Sequence, residues 1–246
     1  MATGNFLSIT NLTVSFDGFK AVDDLNFSVD EGELRVVIGP NGAGKTTLLD
    51  MICGKTKPTN GTIKFRDLEL TQMIEYQINR AGVGRKFQTP SIYEDLTVLE
   101  NLEISYPEKR SVTGSLFFKR TAEIMEKIET VAAQIFLTEE LGTKAGLLSH
   151  GQKQWLEIGL CLTQDPELLL LDEPVAGMSA REREQTAELL KSVSAGRSLV
   201  LIEHDMAFVE LIAQTVTVLH QGKLLAEGSM QEVQSDERVI DVYLGN

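Results

Sequence analysis

A glycine-rich loop between an apolar run and a helical segment constrains this chain more than any other feature of its sequence. Leu34–Ile38 is a short apolar run typical of a buried strand, and helical spacing begins near Lys45. The pattern G-x-x-x-x-G-K-[ST] lies between them and is formed by Gly39, Pro40, Asn41, Gly42, Ala43, Gly44, Lys45 and Thr46. In this strand–loop–helix context the pattern predicts a cradle for the phosphates of ATP or GTP.

The residue types of this loop suit phosphate binding. Glycines let the backbone fold around a phosphate with several N–H groups pointing inward, and the following helix N-terminus adds a partial positive charge. We expect Lys45 to reach the β- and γ-phosphates and Thr46 to ligate Mg²⁺. The alternative is a glycine turn with a chance lysine, and the strand before the loop and the helix after it argue against that.

A second apolar run ends in two carboxylates. Leu168–Leu171 is followed directly by Asp172 and Glu173. Because unpaired buried charge costs several kcal/mol, packing alone does not explain two acids at this position. We expect Asp172 to hold Mg²⁺, directly or through water, and Glu173 to polarise the attacking water. For Glu173, a cap at the next helix is the alternative.

The spacing of apolar residues predicts an α/β fold. Apolar runs alternate with helical segments in the second half of the chain, which indicates a parallel sheet covered on both faces. The first 65 residues contain closely spaced strand patterns, which suggests antiparallel pairing, and roughly residues 90–148 are helical. The strand patterns are Phe6–Phe16, Leu25–Val29, Leu34–Ile38 and Thr62–Phe65, the later runs are 168–171, 198–202 and 216–219, and capping boxes lie at 97–100, 179–182 and 229–232.

The net charge and the pattern of apolar residues argue against several functional classes, although a local basic patch is compatible with the net charge. The net charge of −13 argues against a protein that binds the phosphate backbone of nucleic acids, which calls for a basic face. The N-terminus lacks the pattern of a signal peptide, and no stretch reaches the ~18 apolar residues of a membrane span. If the protein works at a membrane, we therefore expect another subunit to supply the span.

A third motif resembles the LSGGQ signature of ABC ATPases. Leu148-Ser149-His150-Gly151-Gln152 stands before an amphipathic segment, Lys153–Thr163, and shortly before the acidic run. Three further positions match motifs of that family in the expected order, namely Phe16 before Asp17-Gly18, Gln88 in Lys86-Phe87-Gln88-Thr89, and His204 after an apolar run. The resemblance covers essentially the whole chain.

The resemblance implies a role for each of these residues. Phe16 would stack on adenine, with Phe19 as a nearby competitor, and Gln88 would sense both Mg²⁺ and the membrane subunit. His204 would contact the γ-phosphate, and Thr47 would add a phosphate contact beside Thr46. In the family each signature caps ATP bound to the other subunit of a dimer, a role that would fall to Ser149, His150, Gly151 and Gln152.

The resemblance also implies an architecture. A phosphate-loop, RecA-like ATPase core with a mostly parallel sheet would carry an N-terminal antiparallel β subdomain and an inserted α-helical subdomain. We expect one ABC ATPase domain, 1–246, in which 1–89 and 152–246 form the catalytic core with its antiparallel part. The helical subdomain, 90–151, would carry the signature.

Two positions depart from the family pattern. His150 replaces the usual glycine of the signature, where it would be either neutral packing or an extra phosphate donor. Ser179 stands where many family members have an aspartate in the loop that crosses to the other subunit. Ser179 can still cap the following helix, but the cross-dimer role of that aspartate is in doubt here.

Within the family, transport is the expected function. The interval of about 120 residues between phosphate loop and acidic run shows no sustained heptads, unlike that of DNA-repair or chromosome ATPases. Leu201–Met206 and the ending Val239–Gly245 resemble the branched-chain amino-acid and amide uptake group. The runs Gly84–Ser91 and Ala176–Ser179, together with the LSHGQ form of the signature, look closest to urea-transporter ATPase subunits.

The resemblance thus implies an ATPase that powers an ABC importer, with urea as the expected cargo. A branched-chain amino acid or another amide is the alternative cargo, and a soluble ABC ATPase outside transport is the alternative class. The expected partners are a second ABC ATPase subunit, identical or paralogous, transmembrane permease subunits and, indirectly, a periplasmic substrate-binding protein. The expected location is the cytoplasmic face of the inner membrane of a bacterial-type cell.

Overall fold

A computed structural model describes residues 6–86, 92–106 and 121–244 of the chain. Its strands are β1 (Leu7–Phe16), β2 (Phe19–Val29), β3 (Leu34–Ile38), β4 (Asn60–Phe65), β5 (Leu68–Glu69), β6 (Val83–Lys86), β7 (Leu168–Asp172), β8 (Ser198–Ile202), β9 (Thr215–His220) and β10 (Lys223–Gly228). Its helices are α1 (Lys45–Ile52), α2 (Glu75–Arg80), α3 (Val98–Ser105), α4 (Ala122–Gln134), α5 (His150–Thr163), α6 (Ala180–Ser194), α7 (Met206–Ile212), α8 (Met230–Ser235) and α9 (Glu237–Leu244). Two short 3₁₀ turns span Leu70–Gln72 and Ala145–Leu147.

The larger sheet has the strand order β10-β9-β3-β8-β7-β6. Strand β3 runs parallel to both β8 and β9, and β7 runs parallel to β8, while β10 is antiparallel to β9. Every residue of β3, β7 and β8 is buried, as expected for parallel strands covered on both faces. The predicted mostly parallel α/β core is confirmed.

The smaller sheet is antiparallel, with the order β2-β1-β4-β5, and confirms the predicted N-terminal β part. Its first hairpin turns at Asp17-Gly18, where both residues have positive φ and Phe16 pairs with Phe19. Strand β2 starts at Phe19 rather than at the predicted Leu25. The charged residues Lys20 and Asp23, which form an ion pair of 2.7 Å, interrupt the apolar alternation, so this part of the strand is not recognised from the sequence pattern.

Helices α3, α4 and α5 pack on one another. Helix α4 buries Ile124, Ile128 and Val131, the apolar positions that predicted it. Helix α5 begins at His150, three residues before the predicted start at Lys153. The reason is local, because Ser149 and Gln152 form a capping box that begins the helix inside the signature motif.

Two compact units can be distinguished by their contacts. The first comprises the described residues within Met1–Arg85, Glu167–Pro174 and Leu190–Asn246, and the second those within Lys86–Pro166 and Val175–Leu189. Helix α5 thus groups with the second unit, whereas the sequence-based boundaries placed 152–246 in the catalytic core; those boundaries stay a prediction. In the described part of the chain, no helix has the length and apolar character needed to cross a bilayer.

Candidate functional site

The carboxyl ends of three neighbouring parallel strands bring the first group of candidate residues together. The phosphate loop follows β3, Asp172 is the last residue of β7, and His204 comes two residues after β8. The chain passes from β3 to β6 at the edge of the sheet and then returns through β7 and β8 to β9 on the other side of β3, so the direction of the connections reverses. Open α/β sheets bind ligands at such a switch point, outside the carboxyl ends of the strands.

The phosphate loop is folded in a way that only glycine permits at two positions. Gly39 and Gly44 have φ values of +151° and +99°. A Cβ atom at Gly39 would lie 2.2 Å from the carbonyl oxygen of Leu219, and one at Gly44 would lie 2.5 Å from the carbonyl oxygen of Ala21. The loop backbone is therefore held against β2 and the end of β9. Helix α1 has glycine at its N-cap, so no side chain caps the first-turn N–H groups that are expected to face phosphate.

Lys45 folds over the loop that precedes it. Its Nζ donates hydrogen bonds to the carbonyl oxygens of Gly39, at 2.7 Å, and of Pro40, at 3.0 Å. Partial burial lowers the pKa of Lys45, and the carboxylates of Glu173 and Asp172 oppose that shift. The predicted phosphate-binding lysine and the two predicted acids therefore share one electrostatic environment.

Asp172 provides the most informative feature of the site. Its side chain is buried, burial raises its pKa, and the nearby Thr46 hydroxyl and Arg85 guanidinium act in the opposite direction. Although the Thr46 hydroxyl is close, neither carboxylate oxygen of Asp172 has a well-oriented hydrogen-bond donor among the described residues. Two such oxygens beside a threonine hydroxyl offer the hard oxygen ligands that Mg²⁺ prefers. The residues present therefore fit the metal.

Glu173 and His204 lie beside each other at the same edge. The His204 Nδ1 is 3.5 Å from the Glu173 Oε1, and both side chains are partly or largely exposed. Glu173 has a positive φ of +48°, and its backbone N–H donates to the carbonyl oxygen of Ile202 at 3.0 Å. The turn after β7 is thereby held to the end of β8. The Glu173 carboxylate lies outside the buried strand, where a group that polarises water has to be.

Sequence analysis missed two residues next to this site. The Arg85 side chain on β6 is 4% exposed, and its Nη1 lies 2.5 Å from the Asp50 Oδ1 and its Nη2 3.9 Å from the Asp172 Oδ2. A hydrogen bond from the Gly39 backbone lowers the pKa of Tyr243 on α9, but burial of the phenol outweighs it and raises that pKa. The short strand that contains Arg85 gives only a weak sequence pattern, and no local pattern connects Tyr243 to the phosphate loop.

The signature residues form the first turn of α5 in the second unit. The Ser149 Oγ accepts a hydrogen bond from the Gln152 N–H at 3.2 Å, and the Gln152 Oε1 accepts one from the Ser149 N–H at 2.9 Å. The His150 Nε2 lies 2.9 Å from the carbonyl oxygen of Ala176. Ser149 and Gln152 thus have capping partners within this chain, and their predicted contacts with nucleotide remain a prediction.

Three further sequence predictions have different outcomes. Phe16 and Phe19 are both exposed, by 49% and 67%, so the structure does not choose between them as the stacking residue. Ser179 caps α6 as predicted, since its Oγ accepts from the Glu182 N–H at 3.4 Å and its own N–H donates to the Glu182 Oε2 at 2.8 Å. Gln88 lies outside the described residues.

The fold and this arrangement define a Mg²⁺-dependent phosphate-loop ATPase, which is the class to which the comparisons with known proteins assign the chain. The profile of the family described as "ABC transporter" matches residues 22–176, and that of the "Branched-chain amino acid ATP-binding cassette transporter" matches residues 223–246.

Curated proteins and solved structures agree with the profiles. The high-affinity branched-chain amino acid transport ATP-binding protein LivG of Escherichia coli is 36% identical, over 97% of each chain. The corresponding protein BraF of Pseudomonas aeruginosa is 34% identical, also over 97% of each chain. A crystal structure of a nucleotide-free ATP-binding cassette from an ABC transporter superposes with a TM-score of 0.88 at 32% identity, covering 99% of this chain and 100% of that one.

The chain therefore belongs to the ABC transporter family, as an ATP-binding subunit of the branched-chain amino acid transporter type. It is an ABC-importer ATPase that binds and hydrolyses ATP with Mg²⁺.

Proposed function

We propose that this subunit drives the import of urea, with the residues at the carboxyl ends of β3, β7 and β8 as its hydrolytic site. The observation that carries the hydrolytic assignment is the buried Asp172 carboxylate, which lies beside Thr46 and has no well-oriented hydrogen-bond donor for either oxygen among the described residues. Thr46 and Asp172 would hold Mg²⁺, which would supply positive charge next to the phosphates. Lys45 and Thr47 bind the phosphates together with the N–H groups of the glycine loop.

Glu173 is the proposed base, and its neighbour His204 is the proposed contact to the γ-phosphate. The 3.5 Å separation between their side chains allows His204 to orient the Glu173 carboxylate as well as to contact phosphate. Glu173 then accepts a proton from, or polarises, the water that attacks the γ-phosphate. Phe16 remains the proposed adenine-stacking residue, and Gln88 the proposed link between Mg²⁺ and the membrane subunit.

The proposed assembly pairs this chain with a second ABC ATPase, identical or paralogous. In that pair Ser149, Gly151 and Gln152 cap the nucleotide that is bound to the partner. Transmembrane permease subunits supply the pathway, a periplasmic protein delivers the solute, and the ATPase lies at the cytoplasmic face of the inner membrane. ATP binding favours the closed dimer and hydrolysis releases it, which is a shift of population by ligand.

Two solutes are candidates for the transported cargo. Urea is favoured by residues of this chain, namely the LSHGQ form of the signature with His150, the run Gly84–Ser91 and the loop Ala176–Ser179. A branched-chain amino acid is favoured by the names of the curated relatives LivG and BraF and by the profile that matches residues 223–246. The ATPase itself does not contact the solute, so its residues report the cargo only through relatedness.

A transport assay separates these candidates. The chain is co-expressed with its genomically neighbouring permease and binding-protein genes, the complex is reconstituted in vesicles, and uptake of labelled urea is compared with uptake of labelled leucine. Urea uptake that requires ATP and is lost in the Glu173→Gln complex supports the proposal. Leucine uptake without urea uptake would identify a branched-chain amino acid as the cargo and leave the ATPase assignment in place. Equal ATP hydrolysis by wild type and Glu173→Gln would contradict the catalytic role of Glu173.

A further inference from the structure

His150 connects two segments of the second unit that are far apart in sequence. Its Nε2 is 2.9 Å from the carbonyl oxygen of Ala176, in the loop that follows Glu173 by three residues. A carbonyl oxygen can only accept, so the ring must donate from Nε2. The ring also lies against Gly177, where a Cβ atom would be 2.9 Å from the Nε2, and Gly177 has a φ of +74°. Glycine at 177 is therefore favoured by its left-handed backbone conformation, and its lack of a Cβ leaves room for the imidazole.

The loop Ala176–Ser179 is anchored on its other side by packing. Met178 is 6% exposed, and its sulfur lies 3.3 Å from the Thr186 hydroxyl, which also donates to the Glu182 carbonyl oxygen at 2.8 Å. The same hydroxyl accepts a hydrogen bond from the Trp155 Nε1 on α5 at 2.8 Å. Trp155 and Thr186 thus join helices α5 and α6 on one side of the loop, and His150 holds the Ala176 carbonyl on the other side.

The carboxylate of Glu182 lies close to the same turn of α5. Glu182 accepts from Ser179, and a Cβ atom at Gly151 would lie 2.1 Å from the Glu182 Oε1. The hydrogen bonds from Ser179 chiefly lower the pKa of Glu182, and His150 contributes in the same direction. A charged carboxylate therefore lies directly against the signature turn. The small residue at 151 leaves the space that this carboxylate fills.

We propose that His150 is a positioning residue that fixes the loop Ala176–Ser179 to the first turn of α5 through its Nε2–H. The segment that leads away from Glu173 and the turn that carries Ser149 then move as one piece. This role rests on the proposed hydrolytic function, because it acts through the loop that follows the proposed base. The Nε2–H is present both in the imidazolium and in the neutral Nε2-protonated ring, so the contact does not require a charged histidine.

A matched pair of substitutions tests the role of the Nε2–H. In glutamine the amide nitrogen is four bonds from Cα, as the Nε2 is in histidine, whereas in asparagine it is only three bonds away. His150→Gln keeps a donor within reach of the Ala176 carbonyl, and His150→Asn does not. One lost hydrogen bond of ordinary strength corresponds to roughly a 3- to 10-fold effect. We expect kcat to fall by that factor in His150→Asn, with the KM for ATP within about twofold of wild type.

The expected rescue is that His150→Gln retains kcat within about twofold of wild type. Equal losses in both variants, or a loss confined to the KM for ATP, would overturn the positioning role. Thermal unfolding of both proteins is measured alongside, and because residue 150 is exposed we expect both to melt close to wild type. A contribution to overall stability alone would move the melting temperature and leave kcat unchanged.

A spectroscopic measurement tests the contact without any need for ATP hydrolysis. In the full-length ¹⁵N-labelled chain without nucleotide, the His150 ring resonances are assigned by their loss in His150→Gln. We expect the neutral ring to be protonated on Nε2, and protonation on Nδ1 would overturn the proposal. If the wild-type chain fails to hydrolyse ATP but the ring is protonated on Nε2, the proposed function fails and the contact stands, so the two failures are distinguishable.

Discussion

The ion pair between Lys86 and Glu157 provides a stringent test of the energetics inside the second unit. The two side chains are 3% and 5% exposed, and the Lys86 Nζ lies 3.1 Å from the Glu157 Oε2. At an effective dielectric constant of about 20, two unit charges at this distance attract by about 5 kcal/mol. The desolvation of each ion costs several kcal/mol, so the intact pair is expected to contribute little net stability.

Removal of one partner should be far more costly than removal of both. Lys86→Met leaves the Glu157 carboxylate buried without the ammonium group, and we expect the free energy of unfolding to fall by about 3–5 kcal/mol. Glu157→Gln should cause a loss of the same order. The double variant Lys86→Met/Glu157→Met replaces the pair by apolar groups of similar length and should be within about 1 kcal/mol of wild type, or more stable.

The two cysteines offer an assay for this prediction. Cys161 lies on α5 one turn after Glu157, and burial raises the pKa of its thiol to about 12. The thiol is therefore protonated and inaccessible until the helix opens. A loss of 3–5 kcal/mol should accelerate the labelling of Cys161 by roughly 100- to 4,000-fold. Cys53, which is buried in the first unit, is the internal control for opening elsewhere in the chain.

Two outcomes would refute this reasoning. A loss below about 1 kcal/mol in Lys86→Met would mean that the Glu157 carboxylate does not depend on the ammonium group. A double variant whose loss equals the sum of the single losses would mean that the two side chains act independently. Equal acceleration of labelling at Cys53 and Cys161 would place the opening in the whole chain rather than at α5.

Three further predictions concern the hydrolytic site. Glu173→Gln should bind ATP normally but release phosphate about 10²- to 10⁴-fold more slowly, and unchanged turnover would contradict the assignment. Asp172→Asn should abolish Mg²⁺-dependent hydrolysis yet melt at a higher temperature than wild type in metal-free buffer at pH 7, because the pKa of Asp172 is raised and its ionised form is therefore disfavoured in the fold. As pH falls through that raised pKa, wild type gains the proton and the two melting temperatures should converge; a less stable variant at pH 7 would count against this. Gly44→Ala should lose ATP binding, since its Cβ would lie 2.5 Å from a carbonyl oxygen, whereas Gly142→Ala, which meets no atom within 4 Å, should bind ATP as wild type does in the same titration.

The phosphate loop and the acids after β7 could be predicted because their chemistry is encoded locally. Gly39–Thr46 follows the buried strand β3 directly, and Asp172 and Glu173 stand at the end of the buried strand β7. The capping boxes at 97–100, 179–182 and 229–232 were confirmed for the same reason, since both partners lie within one turn. Local spacing of this kind is independent of how the rest of the chain folds.

The contacts that sequence analysis missed are those between distant segments. His150 was recognised as a departure from the signature pattern, but its partner Ala176 is 26 residues away. Arg85 and Asp172 are even further apart in sequence, and only the order of strands β8-β7-β6 brings them within 4 Å. A single sequence gives the residue type at such positions and not the neighbour, so the role of the side chain cannot be deduced from it.

The end of β7 combines two features that are unfavourable for stability. Asp172 is a buried carboxylate whose oxygens lack well-oriented donors in the described structure, and Glu173 has the left-handed backbone that a non-glycine residue adopts at a cost of roughly 1–3 kcal/mol. The same strand is completely buried and hydrogen-bonded to β8 along its length. Stable packing of the sheet centre thus holds a buried carboxylate without well-oriented donors next to a residue with a strained backbone. Both features are expected at a functional site rather than at a position selected for packing alone, and they agree with the hydrolytic role proposed for Asp172 and Glu173.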